Sequence, residues 1–99
     1  MSILGRYKQQ PGEKRKRGVD YTEFLEAGEL VILVVPVVTP VTSPVFVVST
    51  IVIDGAGKKF AYFIEGGVTG NTYLLELTVT TSLGQILEDE IEFEVEETV

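Results

Sequence analysis

From Thr72 the chain alternates for ten residues. Thr72, Leu74, Glu76, Thr78 and Thr80 share one face, and Tyr73, Leu75, Leu77, Val79 and Thr81 share the other. A period of two in β-branched, aromatic and aliphatic residues predicts a half-buried antiparallel strand with the second set inward. Gly70-Asn71 precedes it and Leu83-Gly84 follows it, both of them turn pairs. The same alternation recurs upstream, where Phe60, Tyr62 and Ile64 oppose Lys59, Ala61 and Phe63 before Gly66-Gly67 breaks the run. It recurs again in the last strand, Gln85 to Glu96, where Ile91, Phe93 and Val95 oppose Glu90, Glu92, Glu94 and Glu96.

Between these clear strands the pattern is denser. Leu30 to Val35 reads as a β-branched strand buried on both faces, and Val45 to Ile53 as another that ends at Asp54-Gly55-Ala56-Gly57, a hairpin turn. Pro36, Pro40 and Pro44 fall every four residues between them. Proline cannot donate to a ladder, so this stretch is an edge strand, a kinked crossover or a loop. Asp20 to Leu25 is a short strand or one helical turn, and Glu26 to Glu29 is a turn. The count is six to seven short strands with Gly-rich turns and no helix. That predicts an all-β protein, an Ig-like antiparallel β-sandwich over residues 19–99, with a small barrel as the alternative.

Charge sets the first residues apart. Residues 1–17 carry six Lys and Arg against Glu13 alone, a charge of +5, while the remainder carries two Lys against fourteen carboxylates, −12. The first stretch also holds Gly5, Gln9, Gln10, Pro11 and Gly12 and shows no apolar period. Residues 1–18 therefore read as an extended basic arm, flexible or ordered by a partner, and residues 19–99 are expected to fold without it.

Residue inventory removes several classes of chemistry. The chain has no Cys and no His. It lacks thiolate chemistry, the commonest general base and the commonest transition-metal ligand, so no catalytic residue, cofactor or metal site is assigned. Three prolines exclude a spanning helix from the apolar run Val31 to Val48, and Arg6 and Lys8 follow too soon after Ile3 and Leu4 for a signal peptide. No membrane association is expected, and the protein is expected to stay in the cell that makes it until assembly.

Two charged groups remain as candidate contact surfaces. The first is Lys14, Arg15, Lys16 and Arg17; the second is the stripe Glu90, Glu92, Glu94 and Glu96, about 6.5–7 Å apart along one strand face. A solvated outer face explains the stripe without any partner. Four consecutive cations suit a phosphate backbone, but no aromatics interleave with them and the acidic domain behind would repel a polyanion, so nucleic acid is disfavoured. The split suits a basic segment lying along an acidic face of another copy or a neighbouring protein. Asp54-Gly55-Ala56-Gly57-Lys58-Lys59 lacks the spacing of a phosphate loop, and Glu88-Asp89-Glu90 in a strand sends its carboxylates to opposite faces.

Phe63-Ile64-Glu65-Gly66-Gly67, Gly70-Asn71-Thr72-Tyr73 and Thr80-Thr81-Ser82-Leu83-Gly84-Gln85 carry a further signal. With Val19-Asp20-Tyr21, Leu25, Gly28-Glu29 and Leu87-Glu88, they resemble the phage fiber–tail adaptor family over roughly residues 19–96, apart from the proline-rich stretch. Asn71 stands where the family usually has Thr. The resemblance implies a small Ig-like virion protein of the head–tail or neck region, made in the host bacterial cytoplasm and present in many copies. Its implied partners are other virion proteins (portal, connector, tail tube or fiber) and its own copies. The alternatives are a head decoration protein and an Ig-like cell-surface module.

Overall fold

The computed structural model describes residues 2–97. Seven strands run in order: β1 (Ser2–Gln9), β2 (Lys14–Asp20), β3 (Val31–Thr39), β4 (Phe46–Ile53), β5 (Lys59–Gly66), β6 (Thr72–Thr81) and β7 (Ile86–Val95). A 3₁₀ turn, Thr22–Phe24, follows β2. The strands form a four-stranded sheet, β1-β7-β6-β3, and a three-stranded sheet, β2-β5-β4. This is the immunoglobulin layout, in which second, fifth and fourth strands face third, sixth and seventh.

The core is built by the alternations that the sequence displays. Tyr73, Leu75, Leu77 and Val79 of β6, Ile91, Phe93 and Val95 of β7, and Phe60, Tyr62 and Ile64 of β5 are all buried. Phe46 stacks on Tyr73 with ring centroids 4.7 Å apart and tilts against Phe93 at 5.4 Å. Burying each such side chain is worth about 1.5–3 kcal/mol. The Tyr73 hydroxyl is satisfied in place: it accepts the Val68 N–H at 2.8 Å and meets Thr42 Oγ1 at 2.8 Å. Tyr21 closes the core from the β2–β3 connection, its hydroxyl donating to Asp89 at 2.7 Å. Burial, and then that bond, push its phenol well above the ordinary value.

Three expectations change. Residues 1–18 are not an arm. β1 pairs parallel with β7, and β2 pairs antiparallel with β5, so the segment supplies one edge strand to each sheet. The four-stranded sheet is accordingly mixed, not antiparallel throughout. The sequence conceals this because the inward positions carry few aliphatics. On β1 they are Gly5, Tyr7 and Gln9, and on β2 they are Arg15, Arg17 and Val19, opposite Ile64, Tyr62 and Phe60. Arginine stems cover apolar surface while keeping the charge at the rim.

The second change concerns β3. It is an edge strand of a two-layer sandwich, whose outer face no third layer covers, so the expected burial on both faces fails. Val31 and Val34 are buried, whereas Leu33, Val35 and Val37 stand 53%, 43% and 50% exposed on the outer face. The third resolves the proline-rich stretch. Pro36 lies within β3, and residues 40–45, entered through cis Thr39–Pro40 and left after cis Ser43–Pro44, cross to the other sheet.

Turns follow their residues. Gly57 N–H donates to the Asp54 carbonyl at 2.9 Å in the β4–β5 hairpin. Gly66 has φ +81°, and a Cβ there would sit 2.4 Å from the Val45 carbonyl oxygen. Only glycine fits that approach.

Candidate docking surfaces

With the fold in place, each charged group expected to make contacts can be located. The β2 pleat divides the basic run. Lys14 and Lys16 point out from the three-stranded sheet, opposite Glu65 and Phe63. Lys14 Nζ lies 3.9 Å from Glu65 and 5.5 Å from the centre of the Phe63 ring. Arg15 and Arg17 point to the other side. Arg15 stays exposed with Glu13 3.8 Å away, and Arg17 turns inward so that its guanidinium lies 4.2 Å over the Tyr7 ring. The four cations therefore do not form one patch. Lys16 makes no ion pair among the described residues, Lys14 is engaged by Glu65, and Arg17 joins the two sheets at their edge.

The acidic residues do form one surface. Glu90, Glu92 and Glu94 stand on the outer face of β7, opposite Glu76, Leu74 and Thr72 of β6. Glu96 follows the strand on the same side. β1 neutralises one end of this column: Arg6 Nε lies 3.0 Å from Glu92, and Lys8 Nζ lies 3.5 Å from Glu96. Glu94 and Glu96 can share one proton, which raises the pKa of Glu94 from the ordinary carboxylate value and lowers that of Glu96, with Lys8 adding to the second shift. The other end is uncompensated. Glu76 faces Glu90 across the strands, Glu88 lies one pair further along, and none of the three makes an ion pair among the described residues.

Residues 9–94 match the family model of the podophage GP4 fiber-tail adaptor protein gp77. The chain belongs to this family. No curated protein matches it. In this adaptor the glycine motifs of the sequence prove to be packing elements. A Cβ at Gly67 would press on Tyr73, Val95 and Phe46 at 3.1–3.2 Å, and Gly70 N–H donates to the Val95 carbonyl at 2.8 Å. Gly66-Gly67 and Gly70-Asn71-Thr72-Tyr73 thus meet around the Tyr73 ring, inside the molecule. The motifs serve the packing of the fold, and the candidate contact surfaces lie elsewhere.

One surface of the adaptor has no counterpart in the sequence reading. The outer face of the three-stranded sheet holds a groove of about 470 Å³ floored by Gly18, Ala61 and Phe63 and walled by Val52, Thr50 and Lys16. Gly18 and Ala61 are register partners, so two small residues meet at the centre of the sheet and leave a depression. β4 is bulged between Ser49 and Val52, and Thr50 there has φ 52°. A β-branched residue in the left-handed region is strained, and bulges of this kind re-aim side chains at sheet edges. Only the register, invisible in a linear reading, brings Gly18 beside Ala61. The sequence also does not mark Thr50.

A buried carboxylate ties together the loops at one end of the sandwich. The Glu29 carboxylate accepts from the Thr81 hydroxyl, from Glu26 N–H at 2.9 Å and from the Gln85 amide at 3.0–3.1 Å. The Thr81 bond first, then the Glu26 N–H, holds its pKa below the ordinary carboxylate value. Lys58 Nζ donates to the Glu29 carbonyl at 2.6 Å.

Proposed function

We propose that this chain is a non-enzymatic structural component of a phage virion, an adaptor that joins tail or neck proteins and acts in several copies. Membership of the fiber-tail adaptor family carries the reading. The candidate partners are a portal, connector, tail tube or fiber protein together with further copies of the chain, after synthesis in the host bacterial cytoplasm. The surfaces support it in chemical terms. Lys16 on the outer side of β2, and Glu76, Glu88 and Glu90 on the outer face of β6 and β7, offer charges that make no ion pair among the described residues. Such surfaces set register and on-rate between partners more than raw affinity.

The test is a phage carrying a deletion of the gene, with and without complementation. Purified particles from the complemented phage should contain the protein by mass spectrometry. Particles made without it should package DNA but lack fibers, and should adsorb poorly to host cells. Fiber-bearing, infectious particles in its absence would overturn the reading.

A further inference from the structure

Four strands end the two sheets, β1 and β3 in one, β2 and β4 in the other, and three of them carry a feature that spoils further pairing. The β1 register slips between Ile3 and Gly5, β4 is bulged between Ser49 and Val52, and β3 contains Pro36, which has no N–H to give. β2 has none of these. It pairs with β5 without a break from Lys14 to Asp20, and Lys14, Lys16 and Gly18 stand exposed. Tyr21 N–H donates to the Lys58 carbonyl at 2.8 Å, which extends the same register and marks that pair as a bonded one. Bonded and non-bonded pairs alternate along an antiparallel ladder, so Val19, Arg17 and Arg15 bond β5 as well. Lys14, Lys16 and Gly18 therefore turn their N–H and C=O groups away from β5, on the side where β2 closes its sheet.

We propose that β2 takes an extended, acidic segment of a partner protein as an added antiparallel strand. The free backbone groups of Lys14, Lys16 and Gly18 are what such a segment pairs with, and main-chain bonds supply the affinity in this mode of recognition. Side chains along the edge define the sequence that fits. Lys16 makes no ion pair among the described residues, so the residue opposite it is Asp or Glu. Gly18 has no side chain, and its register partner on β5 is Ala61. An aromatic residue opposite Gly18 lies across it into the groove floored by Ala61 and Phe63, an arrangement that compensates an edge glycine. The lysines also discriminate. Charges on an edge blunt indiscriminate pairing, and β2 of a second copy would bring its own cations against Lys14 and Lys16. An acidic strand meets neither obstacle. The site deepens the adaptor reading, and rests on it for the partner being another virion protein.

The probe is the peptide Thr-Val-Tyr-Thr-Glu-Thr-Glu, which laid antiparallel puts Tyr opposite Gly18 and a Glu opposite each of Lys16 and Lys14. Titrated at millimolar concentration into the isotope-labelled full chain, it should shift the amide signals of Lys14, Lys16 and Gly18 and slow their hydrogen exchange. Methylating the backbone nitrogen of the Glu that faces Lys16 should weaken binding about tenfold or more, because a main-chain bond to the strand is lost and a methyl group holds the backbones apart. Exchanging both Glu for Lys should abolish it. Lys16→Pro removes an N–H that β5 does not use, so this variant should keep its circular dichroism spectrum and lose the peptide. If Lys16→Pro does not fold, the methylated peptide carries the same test on the wild-type chain. A peptide that leaves the β2 amides unmoved, that shifts another surface instead, or that binds equally when methylated or made basic would overturn the proposal. The adaptor reading is scored separately: a chain that ignores the peptide yet is present in fiber-bearing virions defeats this site alone, and one that binds the peptide but is absent from virions defeats the adaptor role alone.

Discussion

The guanidinium of Arg17 lies over the ring of Tyr7, 4.2 Å from its centroid. Arg17 belongs to β2 in one sheet and Tyr7 to β1 in the other, and Tyr7 in turn stacks on Phe93 with centroids 5.5 Å apart. The basic N-terminal segment is therefore bonded into both layers. Deleting residues 1–17 should remove β1 and most of β2, expose the edges of β7 and β5, and abolish cooperative thermal unfolding followed by circular dichroism. A finer test is a double-mutant cycle of Arg17→Gln with Tyr7→Leu, where the coupling should be about 0.5–2 kcal/mol. A truncated chain that unfolds cooperatively near the wild-type midpoint would return this segment to the status of an arm.

The strands that were legible in the sequence are those whose inward residues are aliphatic or aromatic. β6 shows Tyr73, Leu75, Leu77 and Val79 at alternate positions, and all four are buried. The first two strands obey the same period but place Gly5, Tyr7, Gln9, Arg15 and Arg17 inward, and a hydropathy reading sees polar chain. β3 errs the other way, because composition cannot show whether a further layer covers the second face of an aliphatic strand. Leu33 and Val35 read as core and stand in solvent. The acidic stripe was legible as a face. The split of Lys14 and Lys16 from Arg15 and Arg17 required knowing that the run is a strand.

Neighbouring positions on β6 should differ sharply in consequence. Leu77 is 1% exposed, whereas Glu76 faces outward across from Glu90. Leu77→Ala should cost about 2–5 kcal/mol in chemical denaturation. Glu76→Ala should stay within about 0.5 kcal/mol of wild type or stabilise slightly, since it relieves a like-charge pair. Equal losses at both positions would contradict the facing of the strand.

The two glycines that flank the β5–β6 turn should separate strain from collision. Gly66 and Gly70 both have positive φ, +81° and +91°, but a Cβ at Gly66 meets the Val45 carbonyl oxygen at 2.4 Å and one at Gly70 meets nothing within 4 Å. Gly70→Ala should cost about 1–2 kcal/mol, the strain of a left-handed L-residue. Gly66→Ala should cost more than that, because the backbone of the β4 entry must move as well. Similar denaturation midpoints for the two variants would show that the Val45 carbonyl yields freely.

Glu29 should give the fold a dependence on acid. Its carboxylate is buried and receives donors from Thr81, Glu26 and Gln85, joining the β2–β3 connection to the β6–β7 turn. Those bonds favour the ionised form, so the folded pKa lies below the ordinary carboxylate value. A depressed folded pKa contributes stability that is complete above the unfolded pKa and is lost as pH falls through the folded one. Glu29→Gln removes the charge and places an amide against donors that it cannot all satisfy. At neutral pH the variant should melt below wild type. As pH drops beneath the ordinary carboxylate range, wild type should lose stability faster than the variant, and the two melting curves should converge. Melting temperatures separated by the same interval at neutral and acid pH would show that Glu29 is not the group through which acid acts.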